Sequence, residues 1–328
     1  MGRDGGSDSL FRPVKVSAQA PGKIILFGEH AVVYGRPAIA VPVAQVNVRV
    51  TVEAAGGGVT VESRERGRQT PQTPVGDLAD DDPLAAIISR ALQSLDIPGS
   101  PNIKITIEST LPIAGGLGSG AAVSTAIARA LAKYFGREFT APQISAMVYE
   151  VEKIHHGTPS GIDNTVIAFE QPVYYVRPHV IETFSVPVPF RLAIADTGIA
   201  SPTKIAVGDV RKAWEADKAK YESLFDRCGE IADQARAVIE GGRPAELGAL
   251  MSANHEVLRE MGVSCAELDA LVRAALEGGT AGAKLSGAGR GGNMIALVTE
   301  ANEAAVRDAL LRAGAKRVIT TQVGKAPS

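Results

Sequence analysis

Two carboxylates eleven residues apart, Glu152 and Asp163, flank a short turn-forming stretch, Gly157-Thr158-Pro159-Ser160-Gly161. Glu152 falls at the end of a helical pattern, and the turn brings Asp163 back toward it. Such a pair suits a division of labour, with one carboxylate holding Mg²⁺ and the other accepting a proton. Far upstream, Ala20-Pro21-Gly22-Lys23-Ile24-Ile25-Leu26-Phe27-Gly28-Glu29-His30 places a lysine, a glutamate and a histidine inside an otherwise apolar strand. Buried charges persist mainly when paired, so Lys23, Glu29 and His30 point to a use beyond packing. His155 and His156 are adjacent, so on a helix they diverge and do not converge on one metal.

Two glycine-rich runs complete the chemistry. Pro112-Ile113-Ala114-Gly115-Gly116-Leu117-Gly118-Ser119-Gly120-Ala121-Ala122 leads straight into a helix, where successive backbone N–H groups and the helix dipole make an anion site. It lacks the Gly-Lys-Ser/Thr ending of one nucleotide motif and the spacing of the dinucleotide fingerprint. The second run, Ser286-Gly287-Ala288-Gly289-Arg290-Gly291-Gly292, lies between two strands and carries one basic residue, Arg290. A turn explains one such loop more easily than two in distant segments.

The elements that must position these groups alternate, without the strict rhythm of a doubly wound fold. Strands are expected at Val14–Ala18, Lys23–Phe27, Pro37–Val43, Asn47–Glu53 and Ile103–Glu108, where Val48, Val50, Val52 and Ile103, Ile105, Ile107 alternate with polar neighbours. A long loop is expected from Ser63 to Thr73. Helices are expected at Asp82–Leu95, Ala121–Phe135 and Ala141–Ile154, then strands at Tyr174–Val176 and Val186–Ala195. The region Ser201–Glu240 reads as helical, followed by helices Ala245–Arg259 and Cys265–Leu276. Strands Ala283–Leu285 and Met294–Val298 enclose the second glycine run, and a helix, Glu300–Ala313, and a strand, Arg317–Gln322, close the chain. The shift from strands to helices places a lobe division near Phe190, giving lobes 1–190 and 191–328.

Bulk properties narrow the class. The 328 residues are 45% hydrophobic and 21% charged, enough to bury a core in two lobes around a cleft. Aromatics make up only 5%, so that core is aliphatic. A formal net charge of −2 gives no footprint of a nucleic-acid binder. Asp80-Asp81-Asp82 before Pro83 reads as a solvated loop capping the next helix, not a metal site. Cys228 and Cys265 are far apart and outside any ligand cluster, as expected of reduced thiols. Residues 1–10 have no apolar core of a signal peptide, and no apolar run is long enough to span a bilayer, so a soluble, cytoplasmic protein is expected.

Taken in order, these segments resemble the GHMP kinases. The resemblance is carried by Pro21-Gly22-Lys23 through Gly28-Glu29-His30-Ala31-Val32-Val33-Tyr34-Gly35, by Gly115–Ala122, by His156-Gly157-Thr158-Pro159-Ser160-Gly161-Ile162-Asp163-Asn164 and by Lys284-Leu285-Ser286-Gly287-Ala288-Gly289. The first and third motifs are similar to those of members that phosphorylate mevalonate; galactokinases carry an Asp-Tyr after Glu-His where this chain has Ala31-Val32-Val33-Tyr34. The resemblance implies an α+β, two-lobed fold, with an N-terminal lobe like domain 2 of ribosomal protein S5 and a ferredoxin-like C-terminal lobe. It implies an ATP-dependent enzyme that phosphorylates the primary hydroxyl of mevalonate, and a homodimer. By motif position, Asp163 is the base and Lys23 stabilises its carboxylate and the charge on the transferred phosphoryl group. ATP lies along Pro112, Gly115, Gly116, Leu117, Gly118, Ser119, Gly120 and Ala121. Glu152, with Ser119, ligates Mg²⁺. Glu29, His30, His156, Ser160, Thr203, Gly287 and Ala288 line the substrate cleft.

Three positions depart from the family pattern. Gly120 stands where a second serine usually offers its hydroxyl to Mg²⁺, so Ser119, a water or Glu152 alone takes that role. Arg290 replaces a glycine and Asn293 a cysteine. Other readings are a GHMP kinase acting on the 3-hydroxyl of mevalonate or on phosphomevalonate, and a nucleotide-binding sensor without catalysis.

Overall fold

The computed structural model describes residues 15–65, 68–79, 81–111, 116–156, 159–177, 180–201 and 203–324. The chain opens with two long antiparallel strands, β1 (Val16–Phe27) and β2 (Ala38–Ala54). The sequence pattern splits each into two pieces. In the structure each is continuous, because their register shifts at Pro21/Gly22 and absorbs the proline's missing N–H without ending the strand. Alternation on β2 buries Val48, Val50 and Val52 and leaves Arg49 exposed.

Next come β3 (Val59–Glu65), β4 (Arg68–Gln69), β5 (Thr73–Pro74), α1 (Pro83–Ser94) and β6 (Ile103–Ser109). Short strands therefore occupy part of the stretch expected to be a loop. The Asp82 carboxylate caps α1 by accepting from Leu84 N at 2.7 Å, with Pro83 in the first turn. Helices α2 (Ser119–Tyr134), α3 (Ala141–His156) and α4 (Ile162–Phe169) follow, then β7 (Val173–Val176) and β8 (Val180–Thr183). The resulting sheet runs β4-β3-β6-β2-β7-β8, with β1 on β2 and β5 on β3. Helix α2 buries Ala121, Ala122, Ala126, Ala128, Ala130 and Ala132; these small side chains let it lie close to β1 and β2 while α1 and α3 cover its outer side.

A second sheet follows from β9 (Phe190–Asp196), β10 (Ala283–Ser286), β11 (Asn293–Val298) and β12 (Arg317–Val323), in the order β10-β11-β9-β12 and antiparallel at every pairing. Between β9 and β10 run α5 (Thr203–Ala216), α6 (Lys218–Glu240), α7 (Leu247–Glu260) and α8 (Ala266–Glu277), while α9 (Glu303–Arg312) precedes β12. The region expected to be helical over 201–240 holds two helices, α5 and α6. Asp217 breaks it by leaving helical geometry and capping α6, its side chain accepting from Lys220 N at 3.1 Å.

The sheets share one core. Phe190, Leu192, Ile194, Ile295 and Leu297 of the second pack in the same apolar cluster as Ile24 and Val48 of the first and Leu131 of α2. Ser286 Oγ also donates across to Ile25 O at 2.6 Å.

Candidate active site

Lys23 leaves β1 just after its irregular step and is only 6% exposed. Its backbone N–H donates to Leu117 O at 3.0 Å, which ties the strand to the first glycine run. A Cβ at Gly22 would meet Leu111 Cδ2 at 2.7 Å, so the strand must pass there without a side chain. Gly118 has φ 73°, and a Cβ there would stand 2.9 Å from both Lys23 Cγ and Ile167 Cδ1. The lysine stem therefore runs through space that Gly118 leaves open, and its ammonium reaches Asp163 Oδ1 at 3.0 Å.

Asp163 sits in the first turn of α4, where the dipole favours a carboxylate. Its neighbours hold that turn. Asn164 Nδ2 donates to Ser145 O at 3.0 Å and Ser145 Oγ at 2.9 Å, and Thr165 Oγ1 donates to Gly161 O at 2.7 Å. The sequence pattern brings Asp163 back toward Glu152 by a turn but does not reveal α4 or the Asn164–Ser145 anchor. The available signal was Ile162, Val166 and Ile167 recurring at helical spacing behind Gly161.

Glu152, near the end of α3, has its carboxyl pushed up to about 8, first by burial and then by the charge of Asp163, with Lys23 opposing. A second positive charge beside it would reverse that. Among the described residues no group of three or more His, Cys, Asp or Glu stands ready for a metal. Two neighbouring carboxylates and one hydroxyl still fit Mg²⁺, which commonly takes few protein ligands and completes its shell with phosphate and water.

Helix α2 begins at Ser119, capped by the backbone of Gly118 and by no side chain, so its first amides are left for a ligand. Gly116 and Gly120 are exposed, Ser119 is half-buried, and Leu117 and Ala121 are buried. A Cβ at Gly116 would lie 3.7 Å from Asn293 Nδ2 of β11, so this loop faces the second sheet. Pro112 and Gly115 lie outside the described residues, as does the His156 side chain.

The second sheet supplies the opposite wall. His30, at φ 59°, contacts Ala288 O through Nε2 at 2.9 Å, so this nitrogen carries the proton. Burial drives its pKa down to about 4, and nearby Arg290 adds to that, leaving a neutral ring whose Nδ1 has no partner among the described residues. Glu29 is turned inward: its carboxylate pairs with Lys284, and neither side chain is exposed. Sequence spacing gives no sign of this pairing, since Lys284 lies 255 positions away. Ser160 and Thr203 are exposed, Gly287 is half-buried, and Thr203 opens α5.

A cation, a carboxylate and a second carboxylate of raised pKa beside an uncapped helix N-terminus have the makings of a phosphoryl-transfer site. Comparison with known proteins defines the class. Residues 84–171 match the profile described as GHMP kinases N terminal domain, and residues 234–316 match that for GHMP kinases C terminal. The chain is 34% identical to "Mevalonate kinase" of Thermococcus sibiricus, covering 94% of this chain and 96% of that one. The same identity and coverage hold for "Mevalonate kinase" of Pyrococcus abyssi. The fold is shared with a crystal structure of L. major mevalonate kinase in complex with R-mevalonate, at TM-score 0.84 and 29% identity, over 97% of this chain and 99% of the other. The chain belongs to the GHMP kinases, in their mevalonate kinase family.

Proposed function

We propose that this enzyme transfers the γ-phosphoryl group of ATP to the primary hydroxyl of mevalonate, giving 5-phosphomevalonate and ADP. The observation that carries this reading is the Lys23–Asp163 pair, 3.0 Å apart beside the open N-terminus of α2, in a chain so similar to mevalonate kinases. Asp163 accepts the hydroxyl proton as the substrate oxygen bonds to the γ-phosphorus. The bond from that phosphorus to the β–γ bridging oxygen breaks, and ADP carries away the electron pair. Lys23 stabilises the negative charge that gathers on the phosphoryl oxygens. The amides at the start of α2, with Gly116, Leu117 and Gly118 before them, hold the phosphates. Glu152 and Ser119 would hold Mg²⁺, which when bound supplies charge neutralisation along the phosphates. His30, Thr203, Gly287 and Ala288 belong to the substrate wall, and Glu29 supports that wall from within. The lobes divide at 190/191, and the working form is a cytoplasmic homodimer. No helix among the described residues is long and apolar enough to cross a membrane.

The test is ADP release with ATP and Mg²⁺ on mevalonate, 5-phosphomevalonate, homoserine and galactose, with the product's phosphate located by ³¹P NMR. The expected result is turnover on mevalonate alone, with phosphate on the primary hydroxyl. Turnover on another member, or phosphate on the 3-hydroxyl, overturns the substrate assignment.

A further inference from the structure

Arg290 holds a left-handed backbone, φ 57°, at a place where glycine would be unstrained. Its own N–H donates to Val263 O at 2.8 Å, which fixes the crest of the second glycine run against the segment after α7. The side chain reaches Asp209 Oδ2 on α5 at 2.5 Å. Lys212 stands farther from the same carboxylate, at 3.5 Å. Asp209 lies six residues after Thr203, between one and two helical turns along α5.

Other bonds join the same two bodies. Gly292 N donates to Ile199 O at 2.9 Å, Thr197 N and Oγ1 both donate to Gly292 O at 2.9 Å, and Ser201 Oγ donates to Gly289 O. These secure the connection between β9 and α5, but none grips the helix itself. Toward the first sheet, the run contacts His30 through Ala288 O and Ile25 through Ser286. Among the described residues, Arg290 is thus a side chain through which a loop anchored to both sheets holds the body of α5.

We propose that Arg290 is a positioning residue, whose pair with Asp209 clamps α5 to the glycine-rich loop and so sets where Thr203 stands at the substrate wall. This rests on the reading above that Thr203 faces substrate. Both partners are partly exposed, 41% and 36%, so the clamp is modest and sensitive to salt.

Arg290→Gly, which the left-handed backbone accepts, Asp209→Asn and the double variant form a test cycle. Amide exchange across residues 205–210 reports the clamp without turnover. Each single variant is expected to exchange about two- to fivefold faster than the parent, the double no faster than either single, and the differences to vanish at high salt. In steady-state kinetics the KM for the alcohol rises by the same factor while kcat and the KM for ATP hold. Unchanged exchange in either single variant, or additive effects in the double, overturns the clamp. A raised KM for ATP in Arg290→Gly with Asp209→Asn at parental values makes Arg290 a nucleotide contact instead. Altered exchange with an unchanged alcohol KM keeps the clamp but removes its link to Thr203, which overturns the positioning role and leaves the proposed reaction untouched.

Discussion

Lys284 of β10 closes on Glu29, just beyond the end of β1, where neither side chain has any exposed surface. The ammonium also donates to Leu285 O at 2.8 Å and lies 5.8 Å from the Phe27 ring centre. Glu29 Oε2 has no partner among the described residues. Burial pushes the lysine's pKa down while Glu29 holds it up. This ion pair therefore makes an obligatory tie between the sheets, since either charge left alone would be stranded away from water.

Lys284→Met is accordingly expected to destabilise the protein by about 3–5 kcal/mol in urea unfolding, because it strands the Glu29 carboxylate. Adding Glu29→Gln, which removes that charge, is expected to recover much of the loss. A single variant within about 1 kcal/mol of the parent would show that water reaches the pair.

Asp163→Asn and Lys23→Met test the reacting pair. Each is expected to lower kcat by about 10²- to 10⁴-fold on mevalonate, with ATP affinity changed only a few-fold. Calorimetric titration with a non-hydrolysable ATP analogue separates the two effects. Equal loss of nucleotide binding and turnover would remove Asp163 from its role as base.

Two glycines of the first glycine-rich run should behave oppositely. Gly118→Ala puts a methyl against Lys23 and Ile167 at a positive φ, so stability is expected to fall by 1 kcal/mol or more and kcat by about tenfold, measured by thermal melts and ADP release. Gly120→Ala meets nothing within 4 Å among the described residues, in the first turn of α2, so it is expected to stabilise by about 0.5–1 kcal/mol. A destabilised Gly120→Ala variant would contradict the open space at that position.

Glu152 gives a pH dependence of definite sign. Its folded pKa of about 8 exceeds the ordinary glutamate value of 4.5, so between these values the unfolded chain is ionised while the folded protein keeps its proton. The folded state then binds more protons, and stability without metal declines as pH rises from 4.5 through 8. Glu152→Gln should remove this contribution. Melting temperatures of the metal-free parent and variant at pH 5, 7 and 9 check it: the variant's advantage should grow with pH, and a constant gap would refute it.

Motifs and strand alternation were legible because backbone geometry and burial dictate them locally. Lys23, Glu152 and Asp163 stood out as charges at the margins of apolar segments, and Val48 to Val52 announced their buried face. What escaped depended on partners far along the chain. The Pro21 step leaves β1 intact because β2 pairs on both sides of it. Helix α4 has only eight residues and is held by Ser145 from α3. Asp217 divides α5 from α6 through a cap that the surrounding helical pattern concealed. Glu29 resembled a cleft residue until Lys284, 255 positions later, supplied its counter-charge.

Lys23, Glu152 and Asp163 issue from β1, α3 and α4, all in the half of the chain that builds the first sheet. The segments from Thr197 to Thr203 and from Gly287 to Gly292 belong to the other half. On the proposed reading the transfer chemistry comes from the first half alone, while the substrate wall draws on both, His30 from the first and Thr203, Gly287 and Ala288 from the second. A lineage, or an engineer making chimaeras, that exchanges the second half would on that reading replace only part of the substrate wall, and the graft must bring a lysine to meet Glu29.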